Sequence, residues 1–151
     1  MESSLHPAVF GAIVAMFSLL ALVGTWFLVT AILAAASGWP ELANTFPGAE
    51  RPAGKVLRRL VLKVGSVGEN GVTALVPTAQ GLYLESHPLF RFRRPAVHVP
   101  WNRIRFVDSH RILWQRSFTL DLGGVTTMRV RVPAVRILRE HGVQIPHEAA
   151  A

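Results

Sequence analysis

Six histidines are spread along the chain, at His6, His87, His98, His110, His141 and His147. None falls at the H-x-x-x-H or H-E-x-x-H spacing that sets two imidazoles on one helix face around a metal. The chain has no cysteine, which excludes disulfides, thiolate metal ligands and a thiol nucleophile. Asp108-Ser109-His110 contains the residue types of a hydrolytic triad. Adjacent residues of a strand point to opposite faces, so Ser109 and His110 cannot meet there. The acidic residues are few and scattered, so no carboxylate pair is set up for acid–base work. Gly65-Ser66-Val67-Gly68 lacks the lysine and the following helix of a phosphate-binding loop. No catalytic, cofactor-binding or metal-ligating residue is therefore expected, and a non-enzyme is expected.

Cations are the residues left to carry function. All 16 lysines and arginines lie from Arg51 onward, against six of the nine acidic residues, a formal +10 over that stretch. A field of this sign favours anionic partners. The densest cluster is Arg91-Phe92-Arg93-Arg94, where an aromatic among three arginines could grip phosphates or dip into a headgroup layer. Solvation of a loop is the plainer account of such a run. Arg103/Arg105 and Arg129/Arg131 have i, i+2 spacing, so each pair is expected on one sheet face, together a basic face opposite the core. No DNA- or RNA-reading motif accompanies the charge, and no nucleic-acid partner is expected.

The elements that must carry these groups begin with an uncharged run, Ala8–Ala36. A bilayer core of roughly 30 Å takes about 20 apolar residues as helix, so this run is expected to span a membrane. Ala34-Ala35-Ala36 resembles a signal-peptidase site. However, the N-terminus carries Glu2 and no cation, and the apolar run is longer than a signal peptide's, so the helix is expected to stay attached. Arg51, Lys55, Arg58, Arg59 and Lys63 follow it and nothing basic precedes it. The positive-inside bias then places the C-terminal part in the cytoplasm of a single-pass protein, the expected membrane being the inner membrane of a bacterium.

After the span, Ser37 or Gly38 can cap a second helix, with Pro40 in its first turn and Glu41 at its positive end. Trp39, Leu42, Ala43 and Phe46 form one apolar stripe. That stripe fits either the membrane surface, with Trp39 among the headgroups, or the soluble domain. Pro47–Gly54 reads as a linker.

From Lys55 the period changes to two. Val72–Thr78 and Gly81–Ser86 read as a hairpin, Ala96–Trp101 and Arg103–Arg111 as strands. Phe118–Leu122 and Thr127–Val132 flank the tight turn Gly123-Gly124. Pro133 opens a helix through Ala134, Val135, Leu138 and His141, which Gly142 ends. The expected fold is α+β: a transmembrane helix, then six or seven antiparallel strands in a small bent sheet or partly open barrel, then a C-terminal helix. The boundaries are a tail at 1–7, the span at 8–36, an interfacial helix and linker at 37–54, the β domain at 55–142 and a flexible tail at 143–151.

Val72–Leu84, with its Gly-Leu-Tyr-Leu strand, resembles the hairpin of bacterial pleckstrin-homology and GRAM-type domains. His87-Pro88-Leu89-Phe90 and Val97–Ile104 resemble the Pro-Trp-x-x-Ile element that follows it. The resemblance covers roughly 55–142 and extends to bacterial single-pass proteins in which Gly38-Trp39, Leu42-Ala43 and Phe46 have counterparts. It implies a pleckstrin-homology-like domain on a membrane anchor. The first hairpin lacks the family's phosphoinositide-reading Lys-x-Arg pattern. The expected function is a non-catalytic binding or assembly module, or else an accessory subunit of a larger membrane complex. Its expected partners are the lipid bilayer and another membrane or membrane-associated protein, with a homo-oligomer left open. The expected membrane or anionic-partner contacts are Trp39, Arg91, Phe92, Arg93, Arg94, Arg103 and Arg105.

Overall fold

A computed structural model of the chain describes residues 7–68, 70–112 and 114–146. His6 and His147 lie outside them. The first helix, α1, runs Pro7–Ala36, one residue longer than the uncharged run predicts. Its apolar surface is almost wholly uncovered, Thr30 and Ala34 being the buried exceptions. Among the described residues it is the one helix long and apolar enough to cross a membrane.

α2 spans Trp39–Thr45 and is capped by Gly38 in the left-handed conformation, φ 69°. Its apolar stripe faces the protein. Trp39 is 0% exposed, and Leu42 and Ala43 are buried with it in the main core. The expected contact of Trp39 with headgroups is therefore corrected. The indole Nε1 donates to the Pro95 carbonyl at 2.8 Å, and the ring is enclosed by the domain. A tryptophan buries more free energy against a preformed core than in a half-wet interface.

Two antiparallel sheets enclose that core. β1 (Leu62–Val64), β2 (Val67–Gly68), β8 (Thr126–Arg131), β7 (Gln115–Leu122) and β6 (Ile104–Ile112) form a five-stranded sheet in the order β2-β1-β8-β7-β6. β3 (Thr73–Pro77), β4 (Gly81–Ser86) and β5 (Val97–Pro100) form a three-stranded one. The alternation seen in the sequence holds: Leu62, Val64, Phe118, Leu120, Leu122, Met128 and Val130 point inward. The last helix, α3 (Val132–Glu140), closes the core with Ala134, Val135 and Leu138. The chain is thus α+β, with an N-terminal apolar helix, antiparallel sheets and a C-terminal helix.

Three boundaries differ from expectation. Pro47–Gly54 is strapped over the outer face of the small sheet. Gly48 N–H donates to the Ala96 carbonyl at 2.9 Å, the Tyr83 hydroxyl donates to the Ala49 carbonyl at 3.3 Å, and Arg51 Nε donates to Glu85 Oε2 at 2.6 Å. At the other end, Val143 and Ile145 are buried in the core, so Val143–Pro146 is part of the domain and not of a tail. Arg103 lies in a 3₁₀ turn, Trp101–Arg103, so it does not share a strand face with Arg105. Pro100 ends β5 and the chain must turn before β6 begins.

The junction of helix and domain is close. Thr126 Oγ1 donates to the Ser37 carbonyl at 3.0 Å, and Ser66 N–H to the Ala36 carbonyl at 3.4 Å. Gly65 has φ 54°, and a Cβ there would meet the Ser37 carbonyl oxygen at 2.6 Å. Glycine is required on both counts.

Candidate functional site: the segment that meets the apolar helix

β4 is the central strand of the small sheet, and all its residues are buried. It delivers the chain at His87 into a 3₁₀ turn, Pro88–Phe90, capped by His87 Nδ1 accepting from the Leu89 N–H at 3.3 Å. This turn packs on α1. Trp26 Nε1 donates to the Leu89 carbonyl at 3.3 Å, and the Trp26 and Phe90 rings lie 5.2 Å apart. One residue along the helix, Phe27 meets Phe92 edge-on at 4.9 Å. A bilayer core takes about 20 helical residues. Counted from Pro7, these end at Trp26, the kind of residue enriched where hydrocarbon meets headgroups.

The arginines of this segment part company. Arg91 donates to Glu85 Oε1, and Arg51 reaches Oε2 of the same buried carboxylate. One carboxylate thereby ties the linker strap to the segment. Arg93 is exposed, with φ 57°, the left-handed region unusual for a side chain of this kind. Arg94 is 4% exposed, with its guanidinium 5.7 Å from the centre of the Trp39 ring. It is removed from the expected contacts. Its guanidinium lies over the face of the buried indole, a cation–π arrangement on the inside of the domain.

Leu89, at 64% exposure, and Phe92, at 45%, leave apolar surface beside α1, next to Arg91 and Arg93. The structure thus brings Arg91, Phe92 and Arg93 together on one surface and leaves out Trp39, Arg94, Arg103 and Arg105. Arg103 and Arg105 are exposed on the other sheet and its preceding turn. Arg105 is in register with Asp121, and Lys63, Arg129 and Arg131 share their outward face with Asp108 as well. The expected basic face is therefore one of mixed sign.

Four residues of this surface were not among the contacts expected from the sequence: Trp26, Glu85, Leu89 and Phe90, the last two having been read only as part of the family-like element. The signals were present. A tryptophan two-thirds along an apolar run marks an interface, and Leu-Phe in a turn exposes surface that needs a cover.

Among the described residues, no three metal-ligating side chains come together. Asp108 Oδ2 and His110 Nδ1 pair at 2.8 Å on the exposed face of β6. His98 Nε2 lies 3.2 Å from Thr78 Oγ1, and His141 stacks on Trp101 at 5.0 Å. The Tyr83 phenol is pushed above its ordinary range, first by burial and then by the nearby Glu85 carboxylate.

No protein-family model, curated protein or solved structure matches the chain.

Proposed function

We propose that the chain is a membrane-anchored, non-catalytic binding module. In this reading α1 spans the bilayer, and the cationic domain lies on the side that the positive-inside bias assigns to the cytoplasm. One observation carries it. The segment Leu89–Arg93 rests on α1 at the level where about 30 Å of hydrocarbon would end, and it offers Leu89, Phe92, Arg91 and Arg93 to that level. Apolar side chains flanked by cations suit the boundary between acyl chains and anionic headgroups. Two antiparallel sheets around one core, with a C-terminal helix, support a pleckstrin-homology-like reading of the domain.

The test uses the intact chain in nanodiscs of anionic or of zwitterionic lipid. Backbone hydrogen exchange of Leu89–Arg94 is expected to be slower in the anionic discs. Equal exchange in both would overturn a contact with the membrane surface.

A second reading, an accessory subunit of a membrane complex, is favoured by the β6–β7 hairpin tip. Trp114 there is 79% exposed, far more than a tryptophan without a partner needs to be. Size measurement after gentle extraction separates the two: a large stable assembly supports the subunit, a monomer or small homo-oligomer the module.

A further inference from the structure

Trp114, one residue before β7, is the most exposed large apolar side chain among the described residues, more so than any on α1. The direction of the hairpin that carries it follows from the strand pairing. Leu122, at the other end of β7, is in register with Thr126, whose Oγ1 donates to the Ser37 carbonyl. The hairpin thus starts where α1 meets the domain and runs away from that junction, as α1 itself does.

Both run to the same end of the domain. β8 ends at Arg131, opposite Ser117 of β7, and β1 begins beside it, with Leu62 opposite Val130. Just before β1, the Leu60 carbonyl accepts from the Gly71 N–H at 3.1 Å, and the Val72 carbonyl accepts from the His87 N–H at 2.8 Å. His87 opens the turn whose Leu89 carbonyl and Phe90 ring rest on Trp26. The far end of the large sheet is therefore tied, through Gly71 and Val72, to the segment at the level where hydrocarbon would end. The lengths agree. From Ser37 to Trp26 the helix rises about 16 Å. From Leu122 to Trp114 the strand rises about 26 Å. The tip then reaches the level of Trp26 at any inclination to α1 below about 50°.

We propose that the β6–β7 tip is a second membrane anchor, with Trp114 entering the boundary between acyl chains and headgroups of the bilayer that α1 spans. An indole, apolar in its body and polar at its N–H, is favoured at that boundary. Arg111 and Arg116 stand opposite one another in the register just behind the tryptophan. That places cations at the headgroup layer while the ring goes deeper. A single helix leaves a domain free to turn about the helix axis. A second point of attachment fixes its heading, and with it the face turned away from the bilayer. The inference rests on the reading of α1 as a span and goes beyond it in giving the exposed tip the same bilayer as its cover.

The intact protein is placed in nanodiscs of phosphatidylcholine and phosphatidylglycerol, with acyl chains either brominated or plain. Bromine quenches an indole only at close range. The share of emission that Trp114→Phe removes reports Trp114, and the share that Trp26→Phe removes reports the level of α1. Both shares are expected to lose most of their intensity in the brominated discs. The emission left in W26F/W114F comes from Trp39 and Trp101 and should change little. Trp114→Phe alters an exposed ring and should melt with the parent, so the readout is not one of folding. An undiminished Trp114 share beside a quenched Trp26 share would overturn the anchor and leave the span standing. Both shares undiminished would overturn the span as well. Trp114→Cys labelled by a water-soluble maleimide in discs but protected in native membranes would assign the tip to a protein partner and overturn the bilayer as its cover.

Discussion

Cutting the chain at Arg51, where its charge begins, would discard part of the domain's core. Trp39, Leu42 and Ala43 are buried among residues of both sheets, with Trp39 and Leu42 at 0% exposure. Truncating a buried tryptophan costs about 3–5 kcal/mol and a buried leucine about 2–5 kcal/mol. Losing both therefore costs about 5–10 kcal/mol, before counting the carbonyl of Pro95, which loses its donor. A whole domain is stable by about 5–15 kcal/mol. A fragment Arg51–Ala151 is accordingly expected to be unfolded or loosely packed. A fragment Ser37–Ala151, which keeps α2, should fold cooperatively. Thermal scans by circular dichroism, with dispersed or collapsed amide signals by NMR, distinguish them. A shift of 1 kcal/mol moves Tm by roughly 4–8 °C in a domain of this size. Cooperative melting of the shorter fragment within about 5 °C of the longer one would refute the assignment of α2 to the core, since a deficit below about 1 kcal/mol could not come from two buried side chains of this size.

Two further outcomes follow from local geometry. Gly65→Ala places a methyl against the Ser37 carbonyl at a left-handed residue and should lower stability by about 1–3 kcal/mol, measured by denaturant melts of Ser37–Ala151, whereas Gly124→Ala, at a left-handed position open to solvent, should give up only the conformational part of that loss. Tyr83 is the chain's one tyrosine, so phenolate absorbance reports it alone. Its pKa is higher folded than unfolded, so the folded state holds the proton longer, and stability present below pH 10 should fall as pH rises past that value toward the folded pKa; a phenol titrating at or below the ordinary value would contradict this.

Much of the fold was legible because the signals were local. The uncharged run, the Gly123-Gly124 turn and the Pro133–Gly142 helix each announce themselves within a few residues. The stripe Trp39-Leu42-Ala43-Phe46 was legible as a stripe, but its partner was not. A periodic apolar face says that it will be covered and not by what, and the deciding contact, with Pro95, is 56 residues away. The cluster Arg91–Arg94 looked uniform in sequence and is divided in three dimensions. Glu85 takes one arginine, the Trp39 ring another, and a left-handed backbone turns a third outward. The contact of Trp26 with Leu89 joins residues 63 apart and has no local pattern at all.

Because the chain has no cysteine, single cysteines introduced into the full-length protein can be labelled with a membrane-impermeant maleimide in sealed vesicles of either orientation. Phe17→Cys should stay unlabelled in both until detergent is added, and Asn102→Cys should label only where the cytoplasmic side faces out. Labelling of position 17 in intact membranes, or of position 102 from the opposite side, would contradict a helix that crosses the bilayer and holds its domain at the inner surface.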